Sequence, residues 1–214
     1  MLSRLFALAL LATAPLAPAQ TPPADGLVEG RDYTLLDPPQ PTADRSKIEV
    51  LEVFGYWCIH CAHLDPILEK WKQAQPADVD FRYVPAIWQG GVDEFFARAF
   101  YTAETMGVLD TTHSAMFTAA AVDRKLRGPD DILAFYADQG IDRAQFEATM
   151  NSFTVNAKVA RVKQTLPRYG IEGTPTLIVN GKYKAMGRQG TTMSELMVTV
   201  DKLIARERAA LSAH

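Results

Sequence analysis

Cysteine is scarce in this chain: two residues in 214, Cys58 and Cys61. A disulfide between positions this close closes a tiny loop and removes little chain entropy. A disulfide-built scaffold is therefore excluded, and the pair is left for chemistry. Histidine is scarce too, at His60, His63, His113 and His214. Structural zinc needs four ligands, and His60 and His63 lie too close to both cysteines for an easy tetrahedron on one helix turn. No metal site is expected. No run of Lys or Arg stands out and the net charge is −3, so nucleic-acid binding has no electrostatic basis. Gly and Pro follow no period, which excludes collagen-like repeats. No apolar stretch approaches the ~20 residues of a membrane span. What is present is ordinary: 48% hydrophobic and 22% charged residues, the composition of a globular chain with a sizeable core.

Residues 1–19 read as a cleaved secretory signal. Arg4 is the lone charge of a short basic region, Leu5 to Leu11 is unbroken and apolar, and Ala17-Pro18-Ala19 fits a small-x-small cleavage site. The run is too short for an anchor and is broken by Pro15 and Pro18. The mature protein is expected in an exported, disulfide-permissive space, the bacterial periplasm. Such compartments host disulfide exchange, which makes a closely spaced dithiol more telling.

Residues 20–46, rich in Pro, Asp and Thr, read as an extended and partly mobile lead-in. Ile48 to Phe54 is a strand bounded by Gly55. Helical spacing follows at Leu64, Ile67, Leu68 and Trp71, with a kink expected at Pro66. Val79 to Val84 alternates and ends at Pro85, a second strand. From Asp93 to Leu166 the texture is helical, with stripes at Phe95, Phe96 and Phe100 and over Ala115 to Leu126, and Asp142 as an N-cap. Thr176 to Val179 is a buried-type strand, Asn180-Gly181 a type I′ turn, and Lys182 to Met186 the return strand. Met193 to Arg208 closes the chain as an amphipathic helix. Neither β-rich end can bury its faces alone, so the order fits one sheet with a helical insertion. The boundaries read as 47–92 and 167–209 for the α/β domain and 93–166 for the insertion.

Cys58-Ile59-His60-Cys61 sits at the strand-to-helix junction. Residues three apart share a helix face, so the sulfurs can meet. The first cysteine lies at the helix N-terminus, where free N–H groups and the macrodipole stabilise an anion. His60 between the sulfurs adds a positive charge or a donor. Stabilising the thiolate stabilises the reduced form and makes the disulfide an oxidant.

The run Val50-Leu51-Glu52-Val53-Phe54-Gly55-Tyr56-Trp57-Cys58-Ile59-His60-Cys61 resembles the active-site segment of the DsbA family of periplasmic thiol oxidases. Glu172-Gly173-Thr174-Pro175-Thr176-Leu177-Ile178-Val179-Asn180-Gly181-Lys182-Tyr183 resembles that family's cis-proline loop and hairpin, and Asn151-Ser152-Phe153 matches its helical insertion. The resemblance covers nearly all of residues 45–208. It implies an α/β thioredoxin fold with an inserted all-helical domain. It implies a Cys58–Cys61 redox disulfide with Cys58 exposed and Cys61 buried, a cis bond before Pro175, and Thr174 backbone groups that pair with an extended substrate. Trp57 is expected to line the substrate groove. Glu52 corresponds to a buried acid that moves the proton of the second cysteine, and its apolar neighbours Leu51 and Val53 favour burial.

The implied activity is donation of the disulfide to reduced exported proteins. No cofactor is called for beyond the redox disulfide. The implied recycling partner is a DsbB-like, quinone-coupled membrane oxidase, and a monomer is expected. Two departures stand out: Ile59 where the best-known members have Pro, and Thr174 where Val is frequent. Thr at that position is common in disulfide isomerases of the superfamily, which keeps an isomerase or reductase as the alternative. Those isomerases carry a separate dimerisation domain, and only residues 20–47 separate the expected cleavage site from the first strand. A non-catalytic chaperone or metal carrier using Cys58, Cys61 and His60 is the alternative from a different class.

Overall fold

The computed structural model describes residues 25–187 and 190–212. The expected signal segment, residues 1–19, lies outside them. In chain order the elements are strand β1 (Tyr33–Leu35), β2 (Ile48–Phe54), helix α1 (Ile59–Ala74) and β3 (Val79–Pro85). Helices α2 (Val92–Met106), α3 (Leu109–Phe117), α4 (Pro129–Asp138), α5 (Arg143–Met150) and α6 (Phe153–Thr165) follow. Then come β4 (Thr176–Val179), β5 (Tyr183–Ala185) and α7 (Met193–Ser212). Among the described residues the strands form one sheet in the order β1-β5-β4-β2-β3. The β2–β3 pair is parallel and the others are antiparallel. Helices α2 to α6 stand between β3 and β4 as an all-helical insertion.

Every residue of β2 is buried, because helices cover both sheet faces. Two apolar cores result. In one, Ile48, Val50, Leu177 and Val179 pack with Leu64 and Leu68 of α1 and Val200, Leu203 and Ile204 of α7. In the other, Leu51, Val53 and Phe54 pack with insertion residues such as Phe100, Phe117 and Tyr136. Strand alternation puts Glu52 on the side of Ile48 and Val50, and its ladder neighbours are Tyr83 and Leu177.

The lead-in differs from the expectation of a partly mobile segment. Tyr33–Leu35 pairs antiparallel with β5, and Leu27, Tyr33 and Leu36 are buried. The segment then follows the hairpin: Leu36 N–H donates to Lys182 O at 2.7 Å and Gln40 N–H to Gly181 O at 2.8 Å. Three residues are too few for a periodic signal, and the strand exists through its distant partner. Asn180 and Gly181 both have positive φ, 51° and 61°, as a type I′ turn requires. Gly181 is needed for a second reason: a Cβ there would lie 2.1 Å from Gln40 O. The helical stripe over Ala115 to Leu126 is cut short, since α3 ends at Phe117 and a π-helical turn (Thr118–Val122) follows. Asp142 caps α5 by accepting from Gln145 N–H at 2.7 Å.

The hairpin that follows the Thr174-Pro175 loop is tied to α7 by a buried acid. Glu207 accepts from Asn180, from Lys182 Nζ at 2.6 Å and from Tyr183 OH at 3.0 Å. Burial works to raise its pKa, but the bonds from Lys182 and Asn180 outweigh it and hold the carboxyl below its ordinary value. This stabilisation is complete above the ordinary carboxylate pKa and fades as pH falls through the lowered folded value. Glu207→Ala is expected to cost about 1–3 kcal/mol at neutral pH, because it strips three half-buried donors of a buried charged acceptor. Urea unfolding measures it, and the gap from the parent protein should narrow in acid.

Candidate functional site

The site forms where β2 ends and α1 begins. Cys58 is the N-cap of α1, in extended conformation, and its sulfur accepts from Cys61 N–H at 3.4 Å. Both thiols are free. Cys58 is 7% exposed and Cys61 is fully buried. Across the site the Thr174–Pro175 bond is cis, and in its protonated form the Cys58 thiol donates to Thr174 O at 3.2 Å. Residues far apart in the chain are thus brought to one sulfur. Thr174 and Pro175 are half-buried, leaving the loop backbone at the surface beside Cys58.

The two cysteines sit in opposite electrostatic situations. The Cys61 thiol donates to the Cys58 sulfur and is the largest influence on it. Burial opposes ionisation, but the Thr174 side chain and the backbone N–H groups of Cys61 and His60 add further donors. Together they lower the Cys58 pKa to about 5. Burial pushes the Cys61 thiol far up, as do its bond to Cys58 and the charges of Glu52 and Cys58. One sulfur is a thiolate at neutral pH, and its partner holds a proton for it.

Glu52 lies in the interior at 1% exposure, and its Oε1 has no hydrogen-bond partner. Burial is the main cause of a strongly raised pKa, followed by the charges of Asp65 and Cys58. Burial of this kind disfavours the charged form of the carboxyl. His60 is exposed, and its contribution to Cys58 comes from the backbone N–H. Trp57 is 37% exposed. Its indole lies over Gly55, where a Cβ would come within 2.6 Å of the ring. Gly55 therefore lets the indole lie flat beside the junction. His63 is exposed on α1.

Sequence reasoning missed a group of buried polar residues near Glu52. Asp65 on α1 and His113 on α3 are each 4% exposed. Asp65 accepts from Ser114 Oγ at 2.6 Å, and its other oxygen faces His113 Nε2 at 3.8 Å. Tyr56 OH and His113 Nδ1 share a hydrogen bond of 2.7 Å. Asp65 left a trace in the sequence, as an acid on the same helix face as Cys61, Leu64 and Leu68. His113 left none, because its partners are 48 or more positions away. Among the described residues no group of three or more His, Cys, Asp or Glu can hold a metal. No helix among them is long and apolar enough to cross a membrane.

Comparison with known proteins agrees with this geometry. A family model described as a DSBA-like thioredoxin domain matches residues 94–196. The thiol:disulfide interchange protein DsbA of Pseudomonas aeruginosa is 36% identical over 188 residues, 87% of this chain and 89% of that protein. The DsbA of Azotobacter vinelandii is 39% identical over 190 residues, 88% and 87% of the two chains. Among solved structures, P. aeruginosa DsbA superposes with a TM-score of 0.82 at 36% identity, covering 88% of this chain and 98% of that one. The oxidoreductase DsbA from Xylella fastidiosa gives 0.79 at 38% identity, covering 86% and 98%. The free dithiol at a helix N-terminus, the cis-proline loop against it and these relatives lead to one conclusion: the chain belongs to the DsbA family of thiol:disulfide oxidoreductases.

Proposed function

We propose that the protein donates a Cys58–Cys61 disulfide to reduced exported proteins in the periplasm, through a mixed disulfide at Cys58. The observation that carries this reading is the placing of Cys58 at the N-cap of α1 against the cis Thr174–Pro175 loop, with Cys61 fully buried behind it, an arrangement that lowers the Cys58 pKa to about 5 and raises that of Cys61. A substrate thiolate attacks Cys58 Sγ, the Cys58–Cys61 bond breaks, and its electron pair leaves on Cys61. Cys61 takes a proton from the Glu52 carboxyl. A second substrate thiolate then attacks the substrate sulfur of the mixed disulfide, and Cys58 leaves as a thiolate. A low-pKa thiol leaves faster, so the stabilisation at Cys58 favours this release. The products are an oxidised substrate and the reduced dithiol.

The substrate segment lies extended along the Thr174-Pro175 loop, pairing with the Thr174 backbone as an added strand does. Trp57 lines the groove beside it, and the His60 backbone steadies the thiolate. The exchange uses the redox disulfide alone, with no metal or organic cofactor. Reoxidation falls to a DsbB-like, quinone-coupled membrane oxidase. The catalytic unit is a monomer with its α/β domain over 47–92 and 167–209 and its insertion over 93–166.

Three measurements test the reading. In the reduced protein, thiolate absorbance is expected to report one cysteine titrating near about 5. Cys61→Ala should move that titration upward, because the largest stabilising donor is lost, and an unmoved midpoint would contradict the site electrostatics. In oxidative refolding of a reduced substrate, Cys58→Ser should abolish turnover. Glu52→Gln should slow reduction of the disulfide by a thiol about tenfold or more at neutral pH, since an amide has no proton to give Cys61. Turnover by Cys58→Ser would show that the attacked sulfur lies elsewhere.

A further inference from the structure

Three buried polar atoms near the dithiol lack a hydrogen-bond partner: Glu52 Oε1, Asp65 Oδ1 and His113 Nε2. They belong to three elements, β2, α1 and α3. Burying an unpaired polar atom is costly, so three together call for an explanation. Asp65 lies one helix turn beyond Cys61, on the same face of α1, and among side-chain charges it acts most strongly on Glu52. Its environment is built from several elements. Glu52 faces it from β2, Tyr83 from β3, Glu69 and Lys72 from its own helix, and Ser114 and His113 from α3. Tyr56 stands behind His113.

The orientation of His113 follows from its partners. Burial and nearby charges keep the Tyr56 phenol protonated, so it can donate to His113 Nδ1. Burial, and then the charge of Lys72, lowers the His113 pKa to about 3. A neutral imidazole that accepts at Nδ1 carries its proton on Nε2, the atom facing Asp65 Oδ1. The Asp65 carboxyl therefore meets a hydroxyl donor on one oxygen and an N–H on the other side. Both come from the helical insertion.

We propose that Asp65 and His113 are positioning residues for Glu52, a coupled buried pair that sets how readily Glu52 gives up and regains the proton exchanged with Cys61. The inference rests on the Glu52 reading above. When the disulfide is attacked, Cys61 gains the electron pair and then the Glu52 proton, and Glu52 is left a carboxylate. A charged Asp65 opposes that step, and a neutral Asp65 permits it. Glu52 is restored by one proton from solvent. Burial raises the Asp65 pKa and the Ser114 hydroxyl partly offsets it. The insertion thereby acts on the dithiol electrostatically, through Glu52.

Carbon-13 carboxyl titration of the reduced protein tests this. The Glu52 resonance is the one that vanishes in Glu52→Gln. In Asp65→Asn, which keeps an acceptor for Ser114, the Glu52 midpoint is expected to fall by about one pH unit or more. His113→Gln, which keeps a partner for Tyr56, should move the midpoint in the parent protein and leave it unmoved in Asp65→Asn. The pH profile of disulfide reduction by glutathione is recorded alongside. If Glu52→Gln keeps the parent profile, the Glu52 reading itself fails. If Glu52→Gln flattens the profile but the Glu52 midpoint is the same in Asp65→Asn, the inference is overturned and the Glu52 reading stands.

Discussion

The Cys58 sulfur is held against the Thr174 carbonyl at 3.2 Å, across 116 residues of chain, and most of the fold can be read as what makes that contact possible. The sulfur is fixed because Cys58 caps α1, whose inner face packs on β2 and α7. The carbonyl is fixed because β4 begins two residues after Thr174 and is laid against β2 in a single register. After α1 and β3, the helical insertion occupies most of the interval between the two. It returns the chain to the sheet beside the point where it left, and its side chains form the second core against Leu51, Val53 and Phe54.

The same junction separates two chemically identical side chains. Cys58 has donors converging on it, and Cys61 has a fully buried position above a buried acid. Coulomb effects alone would treat neighbouring thiols alike. Position relative to the helix N-terminus and to water divides them. The consequence is directional: the sulfur at the surface leaves easily as an anion, and the sulfur inside leaves only with a proton. In the proposed mechanism the Glu52 carboxyl, on the α1 side of β2, supplies what the inner sulfur needs.

Much of this was legible in the sequence, because local chemistry wrote it there. The β-branched run of β2 and the Asn-Gly turn follow from backbone preferences that act over a few residues. The Cys58-Ile59-His60-Cys61 spacing at the start of a helix belongs with them. Glu52 could be placed inside because its neighbours are apolar. The strand Tyr33–Leu35 could not be read, since three residues show no period and the pairing partner lies some 150 positions away. Tyr56 and His113 were unreadable for the same reason. An aromatic and a histidine on amphipathic segments look like ordinary core until the insertion folds back. The Ala115 to Leu126 stripe was over-read because periodicity does not distinguish a helix from its unwinding end.

The central claim is that thiolate stabilisation at Cys58 makes the reduced protein the more stable form. The reduction potential of the protein, by equilibration with glutathione, tests it most directly. A thioredoxin-type dithiol has a cysteine pKa near about 7 and a potential near about −270 mV. Lowering the pKa to about 5 is worth about 50 mV of oxidising power at neutral pH, at 30 mV per 1.4 kcal/mol. The account therefore predicts a potential above about −220 mV, on the side of the family's strong oxidants near about −120 mV. A value at or below about −270 mV would contradict it.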